Sequence, residues 1–421
     1  MRILLHSINY APEPTGIGKF SGEMARWLRG RGHQVRVLST HPNYPAPPAN
    51  YAHATWAFHR VCEDGLPVWR APVLGGRRHG GLGRLLQAFS FALTSLPVML
   101  RLAFWRPEIV IAVVPTLAGI PAAWLAARLG RGKLWLHVQD LEVDAAFDLG
   151  LLRSPRLRRV AEGVEAALLR RADGVSSISG AMCARLQAKL GPQRSVALIP
   201  NWVDAQAVQP LRAVSVYRAE LGLPANARVL QYSGALSVKQ GVHMLAELAR
   251  HLDADPELWC IFAGEGPMRD WLARRCAGLP RTRVLPLQPR ERLSEWLGLA
   301  DIHLLPQQAE AADLVMPSKL TGMFASARPV LCTALPGTEL ARVIDGRGVR
   351  VPPGDAVALA AAARALLADP ARGQALGQAG REYALEQLNQ ETILADLESR
   401  FAALCRTNAS VPTSGSGAGG A

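Results

Sequence analysis

Short apolar runs and amphipathic stretches alternate along most of this chain. Arg2-Ile3-Leu4-Leu5, Val35-Arg36-Val37-Leu38, Ile109 to Val114, Leu134 to Val138, Val175 to Ile178 and Val196 to Ile199 are short and mostly rich in β-branched residues, so they read as strands. Helix-period segments separate several of them, and that alternation predicts a doubly wound parallel α/β sheet. The pattern lapses between Asp204 and Pro210. It resumes at Val229 and runs through Leu258 to Phe262, Val284-Leu285, Ile302 to Leu305, Val330-Leu331 and Val349 to Val351, predicting a second such sheet. The chain is therefore expected to divide into a Rossmann-like domain over 1–205, a second over 206–385, and a helix over 386–408 packing back on the first. Residues 409–421 are too rich in Gly and Ser to fold.

Candidate chemistry sits where the strands of the second half end. Tyr232 leads into Ser233-Gly234 and then Lys239-Gln240-Gly241, before the helix-period segment Val242 to His251. A strand that breaks at Gly and restarts as a helix leaves amide groups and a helix dipole facing an anion. Gly264-Glu265-Gly266-Pro267 repeats the arrangement, with two glycines that allow backbone to approach a ligand. Asp313 through Pro317-Ser318-Lys319 is the third such segment, with Pro317 expected to open a helix and Lys319 in its first turn. Each motif alone is most simply a turn. Three at the carboxyl ends of parallel strands, where open α/β sheets bind ligands, describe a cradle for a diphosphate with an organic group on either side.

The first half has a candidate site of its own. After the first strand comes Asn9-Tyr10-Ala11-Pro12-Glu13-Pro14-Thr15-Gly16-Ile17-Gly18-Lys19, followed by an amphipathic helix expected over Phe20 to Arg29. The loop lacks the third Gly and the downstream acid of a dinucleotide fingerprint, which argues against nicotinamide or flavin. His137 and Asp140 close another strand, with Glu142 and Asp144 just beyond. A histidine there is commonly structural; with the carboxylates it could instead steer a proton or grip sugar hydroxyls.

Composition narrows the partners. The 421 residues are 49% hydrophobic and 19% charged, enough for two cores, and the formal net charge of +13 favours an anionic partner. Basic residues are scattered without a nucleic-acid-binding signature, so phosphorylated substrates or anionic lipid fit better. Lysine occurs only at 19, 133, 189, 239 and 319. Six scattered cysteines without metal-ligand spacing, and a start that enters a strand directly, lead to a cytoplasmic expectation. Leu85 to Leu100 is apolar but short for a spanning helix, and Arg77, Arg78, Arg84, Arg101 and Arg106 flank it. It reads either as a helix in the membrane interface or as one covering the first sheet. Arg153 to Arg159 and Arg170-Arg171 would add contacts to anionic head groups, or form an ordinary solvated face.

The run Asn9 to Lys19, Ile199-Pro200-Asn201-Trp202-Val203-Asp204, Gly234 to Gly241, Gly264 to Pro267 and Ala311 to Thr321 resemble the retaining, glycogen-synthase-like glycosyltransferases of family 4. The resemblance covers the chain to about residue 400 and implies the GT-B fold, two Rossmann-like domains facing across a cleft. It implies an acceptor-side first domain and a second domain that binds the nucleotide sugar. Lys239 matches the family's basic residue on the donor diphosphate, Gly264 to Pro267 the loop under base and ribose, and Gly16 and Gly18 the loop nearing phosphate and acceptor. His137 matches a residue contacting the donor sugar. Where the family carries two glutamates with seven residues between them, Asp313 is nearest the first and Gly322 is aligned with the second. The catalytic candidates are thus His137, Asp140, Lys239 and Lys319. Donor binding is assigned to Gly16, Gly18, Ser233, Gly234, Lys239, Gly264, Glu265, Gly266, Asp313, Pro317, Ser318 and Lys319.

The implied reaction is retaining transfer of a sugar from a nucleoside diphosphate sugar, a substrate rather than a cofactor, without a metal. The exopolysaccharide, colanic-acid branch of the family implies GDP-fucose as donor, a polyprenyl-diphosphate-linked saccharide as acceptor, and a place on the inner face of the plasma membrane. Other readings stay open: a nucleotide-sugar epimerase or hydrolase, a noncatalytic nucleotide-sugar-binding module, or a basic nucleic-acid-binding protein. The first predicts nucleotide release without acceptor, the second binding without turnover, and the third steep salt dependence.

Overall fold

The computed structural model describes residues 1–42, 57–74, 81–115, 117–148, 154–314 and 316–406. The first sheet comprises β1 (Arg2–Ser7), β2 (Gln34–Thr40), β3 (His59–Glu63), β4 (Leu66–Ala71), β5 (Ile109–Val114), β6 (Lys133–Val138), β7 (Gly174–Ser177) and β8 (Ala197–Leu198). Their spatial order is β3-β4-β2-β1-β5-β6-β7-β8, parallel except for the β3–β4 hairpin. That hairpin, missing from the sequence reading, turns on Asp64 and Gly65, both at positive φ, as a tight hairpin turn requires. The second sheet comprises β9 (Arg228–Ser233), β10 (Leu258–Ala263), β11 (Thr282–Leu285), β12 (Ile302–Leu305), β13 (Val330–Thr333) and β14 (Gly348–Val351), all parallel in the order β11-β10-β9-β12-β13-β14.

The fully apolar strands are buried on both faces because helices cover both sides of each sheet. In the first domain, helices Gly81–Ala103 and Ile120–Gly130 bury Phe91, Met99 and Ala123 on one side. Helix Gly16–Gly30 covers the other side through Phe20, Met24 and Leu28. It begins at Gly16 rather than Phe20, extending the amphipathic turn expected from the sequence. Helix Pro370–Gln387 packs on Leu320–Ala325 in the second domain. The last helix, Gln390–Arg406, crosses to the first domain and buries Ile393, Leu394, Leu397 and Phe401 there. Phe401 meets Trp135 edge-on at 5.2 Å, and Glu398 Oε1 pairs with His33 Nε2 at 2.7 Å. The tail over 409–421, together with Arg77, Arg78 and Arg153, lies outside the described residues.

Candidate active site

Each sheet reverses its winding direction once, between β1 and β5 and between β9 and β12. Chains leaving adjacent strands diverge there, which opens a crevice at the strands' carboxyl ends. In the second domain this places Ser233 and Gly234 at the end of β9, with Gly264 after β10. Ser233 Oγ accepts from Trp296 Nε1 at 2.9 Å. A Cβ on Gly264 would fall 1.8 Å from the Gly234 carbonyl oxygen, so only glycine lets the two loops touch. Gly266 sits equally tight against Leu236, whose amide donates to the Glu265 carbonyl at 2.8 Å. These glycines therefore knit the loops after β9 and β10 to each other, a packing role beside the ligand approach that the sequence reading expects of them. The Glu265 carboxylate lies 3.5 Å from Arg269.

Lys319 reaches into this crevice. Pro317 does not open the helix as expected: Leu320 N donates to the Pro317 carbonyl at 3.1 Å, forming a turn, and helix Leu320–Ala325 begins after Lys319. The Lys319 ammonium donates to Tyr232 Oη at 2.7 Å and Gln240 Oε1 at 2.6 Å, directly beneath Gly234. Both partners are neutral, and burial lowers its pKa to about 7. Lys239, in the turn Val238–Gln240 ahead of helix Val242–Leu252, is half-buried and meets no side-chain acceptor among the described residues. Two lysines thus belong to the same glycine-cornered site, and among the described residues no acid pairs with Lys319.

Asp313 has a different place. Its carboxylate accepts the Glu339 amide at 2.8 Å, at the start of helix Glu339–Ile344. The Glu339 carboxylate crosses to the first domain, accepting Gly180 N at 2.7 Å and the Ala181 amide at the start of helix Gly180–Leu190. Asp313 so holds an interdomain contact. Gly322, aligned with the family's second glutamate, lies in helix Leu320–Ala325 beside Thr321. Thr321 Oγ1 donates to the Ser318 carbonyl at 3.0 Å, while a Cβ on Gly322 would face Leu297 in the core. Pro317 is buried and Ser318 half-buried beside Lys319.

Across the cleft, Gly16 starts its helix at φ +59, and a Cβ on Gly18 would overlap Glu13, so the loop packs on itself. His137 is buried, with Nδ1 3.0 Å from Ser176 Oγ and Nε2 3.1 Å from Gln139 Nε2; burial lowers its pKa to about 4, leaving the ring neutral. Asp140 is half-buried just beyond β6. Sequence reasoning missed Glu23. Its buried carboxylate accepts from Trp202 Nε1 at 3.0 Å, pairs with Lys19 at 3.4 Å, and receives Arg290 of the second domain at 2.5 Å. No local motif marks these partners, which are up to 267 residues apart. Among the described residues, no three His, Cys, Asp or Glu side chains gather as a metal-binding set.

The helix Gly81–Ala103 packs one face on the first sheet and leaves the other exposed. Phe91, Met99 and Leu102 are buried against the sheet, whereas Leu86, Phe89 and Leu93 are exposed, Leu93 to 73%. Leu157, Val160 and Val164 form a second exposed row with the same spacing on helix Pro155–Leu169, whose Leu168 and Leu169 pack on the same core.

Comparison with known proteins agrees with this geometry. Residues 15–202 match the glycosyl transferase 4-like domain, and residues 227–369 match glycosyl transferases group 1. The chain is 35% identical over 403 residues to the Escherichia coli K12 glycosyl transferase WcaI, named for colanic acid biosynthesis, covering 94% of this chain and 98% of that protein. It is 28% identical to a Mycobacterium tuberculosis glycogen synthase over 93% of this chain and 92% of the relative. Among solved structures, sucrose-phosphate synthase from Thermosynechococcus elongatus superposes with a TM-score of 0.74 at 18% identity, covering 97% of this chain and all of that one. HepE from Anabaena, solved with UDP and glucose, gives 0.69 at 17% identity over 96% of this chain and all of its own. The chain belongs to the family 4 glycosyltransferases and has their GT-B fold.

Proposed function

We propose that this glycosyltransferase moves a sugar from a nucleoside diphosphate sugar to a polyprenyl-diphosphate-linked saccharide, with retention and without a metal, in assembly of a colanic-acid-like exopolysaccharide. One observation carries the reading: the half-buried Lys319 ammonium, paired with no acid among the described residues, lies under the Gly234 loop at the second domain's switch point. Transfer requires neutralising a departing diphosphate, and a preorganised cation with loop amides supplies that. Lys239 adds charge from the same loop. On this reading the acceptor hydroxyl attacks on the leaving group's face and the departing phosphate oxygen takes its proton. The relatives supply the direction, one named for colanic acid biosynthesis and another solved with UDP-glucose. GDP-fucose is the first donor to test.

The exposed rows on helices Gly81–Ala103 and Pro155–Leu169 support a peripheral place on the inner face of the plasma membrane. Each shows three apolar side chains at i, i+3 and i+7, with Arg101, Arg156 and Arg159 nearby in sequence. Phe89→Gln with Leu93→Gln should lower recovery on anionic vesicles several-fold while nucleotide binding is unchanged; equal recovery would remove the membrane assignment. The activity is tested by nucleotide release from GDP-, UDP- and dTDP-sugars with and without polyprenyl-diphosphate saccharides. Release from one donor only when lipid is present supports the reading. Lipid-independent release would favour a hydrolase or epimerase, and saturable binding without release a noncatalytic module.

A further inference from the structure

Arg70, on β4, is 1% exposed. A buried guanidinium costs several kcal/mol unless its hydrogens find acceptors. Here Nη1 donates to the Thr40 carbonyl at 2.8 Å, Nη2 to the Ala11 carbonyl and Glu63 Oε2, and Nε to Glu63 Oε1 at 3.2 Å. The Tyr10 ring lies 5.4 Å from the guanidinium carbon. The acceptors come from the end of β2, the loop after β1 and the end of β3.

Two of these partners face a space between the two domains. Ala11 and Glu63 line a space of about 630 Å³ closed on its far side by Leu287 to Glu291 of the second domain. Glu63 balances the charge of Arg70, so the guanidinium serves to hold backbone rather than to attract phosphate. The loop it holds runs from Tyr10 into Gly16, where the helix facing the second domain begins.

We propose that Arg70 is a positioning residue for sugar transfer: it fixes the loop after β1 at the height at which its glycines meet the donor. This rests on the reading that the donor lies across the cleft from that loop. Arg70→Lys keeps the charge but not the planar fork that serves three directions at once. Glu63→Gln, a milder change, leaves the carbonyl contacts and loosens the fork.

The test combines hydrogen exchange of the Ala11 to Gly18 amides in nucleotide-free protein with kcat, KM and the ratio of donor hydrolysis to transfer, each measured well below the variant's unfolding midpoint. Arg70→Lys should speed loop exchange about tenfold, lower kcat about tenfold and raise the hydrolysis share, with β1 and β2 still protected. Glu63→Gln should move each readout the same way by a smaller factor. Loop exchange equal to wild type in both variants overturns the proposal, as does a loosened loop with wild-type kcat and hydrolysis share. If wild type itself turns over no donor, the functional reading fails separately and loop exchange alone decides whether Arg70 holds the loop.

Discussion

The two walls of the cleft are made differently. The second domain's wall is backbone: β9 and β10 end in loops that touch where Gly264 meets Gly234, and Lys319 fills the space beneath. The first domain's wall is side chains: Arg70 holds Ala11, Glu23 gathers Trp202, Lys19 and Arg290, and His137 is pinned by Ser176 and Gln139. A wall of turns tolerates almost no added atom, whereas a wall of side-chain contacts can lose a solvent-exposed member such as Arg290 and keep its shape. Sensitivity to substitution should differ accordingly.

The sharpest break of the donor wall is Lys319→Met. Turnover should fall about 10²- to 10³-fold, the scale of removing one preorganised stabilising group. The melting temperature should hold or rise, because a buried ammonium is costly to keep. Steady-state nucleotide release alongside a thermal melt checks both.

Gly264→Ala probes the same wall through backbone. With 1.8 Å between the new Cβ and a carbonyl oxygen, the loops must separate, at a cost of roughly 1–3 kcal/mol. Nucleotide Kd should weaken at least tenfold by calorimetry.

On the opposite wall, Arg290→Ala removes one of three partners of Glu23. The half-exposed guanidinium is screened by solvent, so kcat/KM should fall only a few-fold with the fold intact. A loss as large as that of Lys319→Met would show that the walls do not differ as described.

The same contrast decides what the sequence made legible. Both parallel sheets apart from the β3–β4 hairpin, and the glycine loops of the second domain, followed from short hydrophobic runs and the turns that end them, because a turn's requirements lie within a few residues of chain. Glu23, Arg290 and Arg70 carried no such signal, since their partners come together only after folding. Asp313 adds a contact of the same kind: its carboxylate accepts the amide at the start of a helix 26 residues away, which the local motif does not mark. The Gly81–Ala103 helix defeated a single reading because one face meets the sheet and the other does not.

The central claim is that Lys319 meets the donor diphosphate, and nucleotide affinity against pH tests it most directly. Burial places its pKa near 7 in the free protein. A bound diphosphate favours the charged form and raises that value, so affinity should be level below pH 7 and weaken up to about tenfold per unit above it. GDP and UDP binding to wild type and Lys319→Met should be followed from pH 6 to 9. The account predicts that whichever nucleotide binds wild type loses affinity above pH 7, and that the variant binds weakly with no such slope. Equal affinity and an equal profile in the two proteins would place the diphosphate elsewhere.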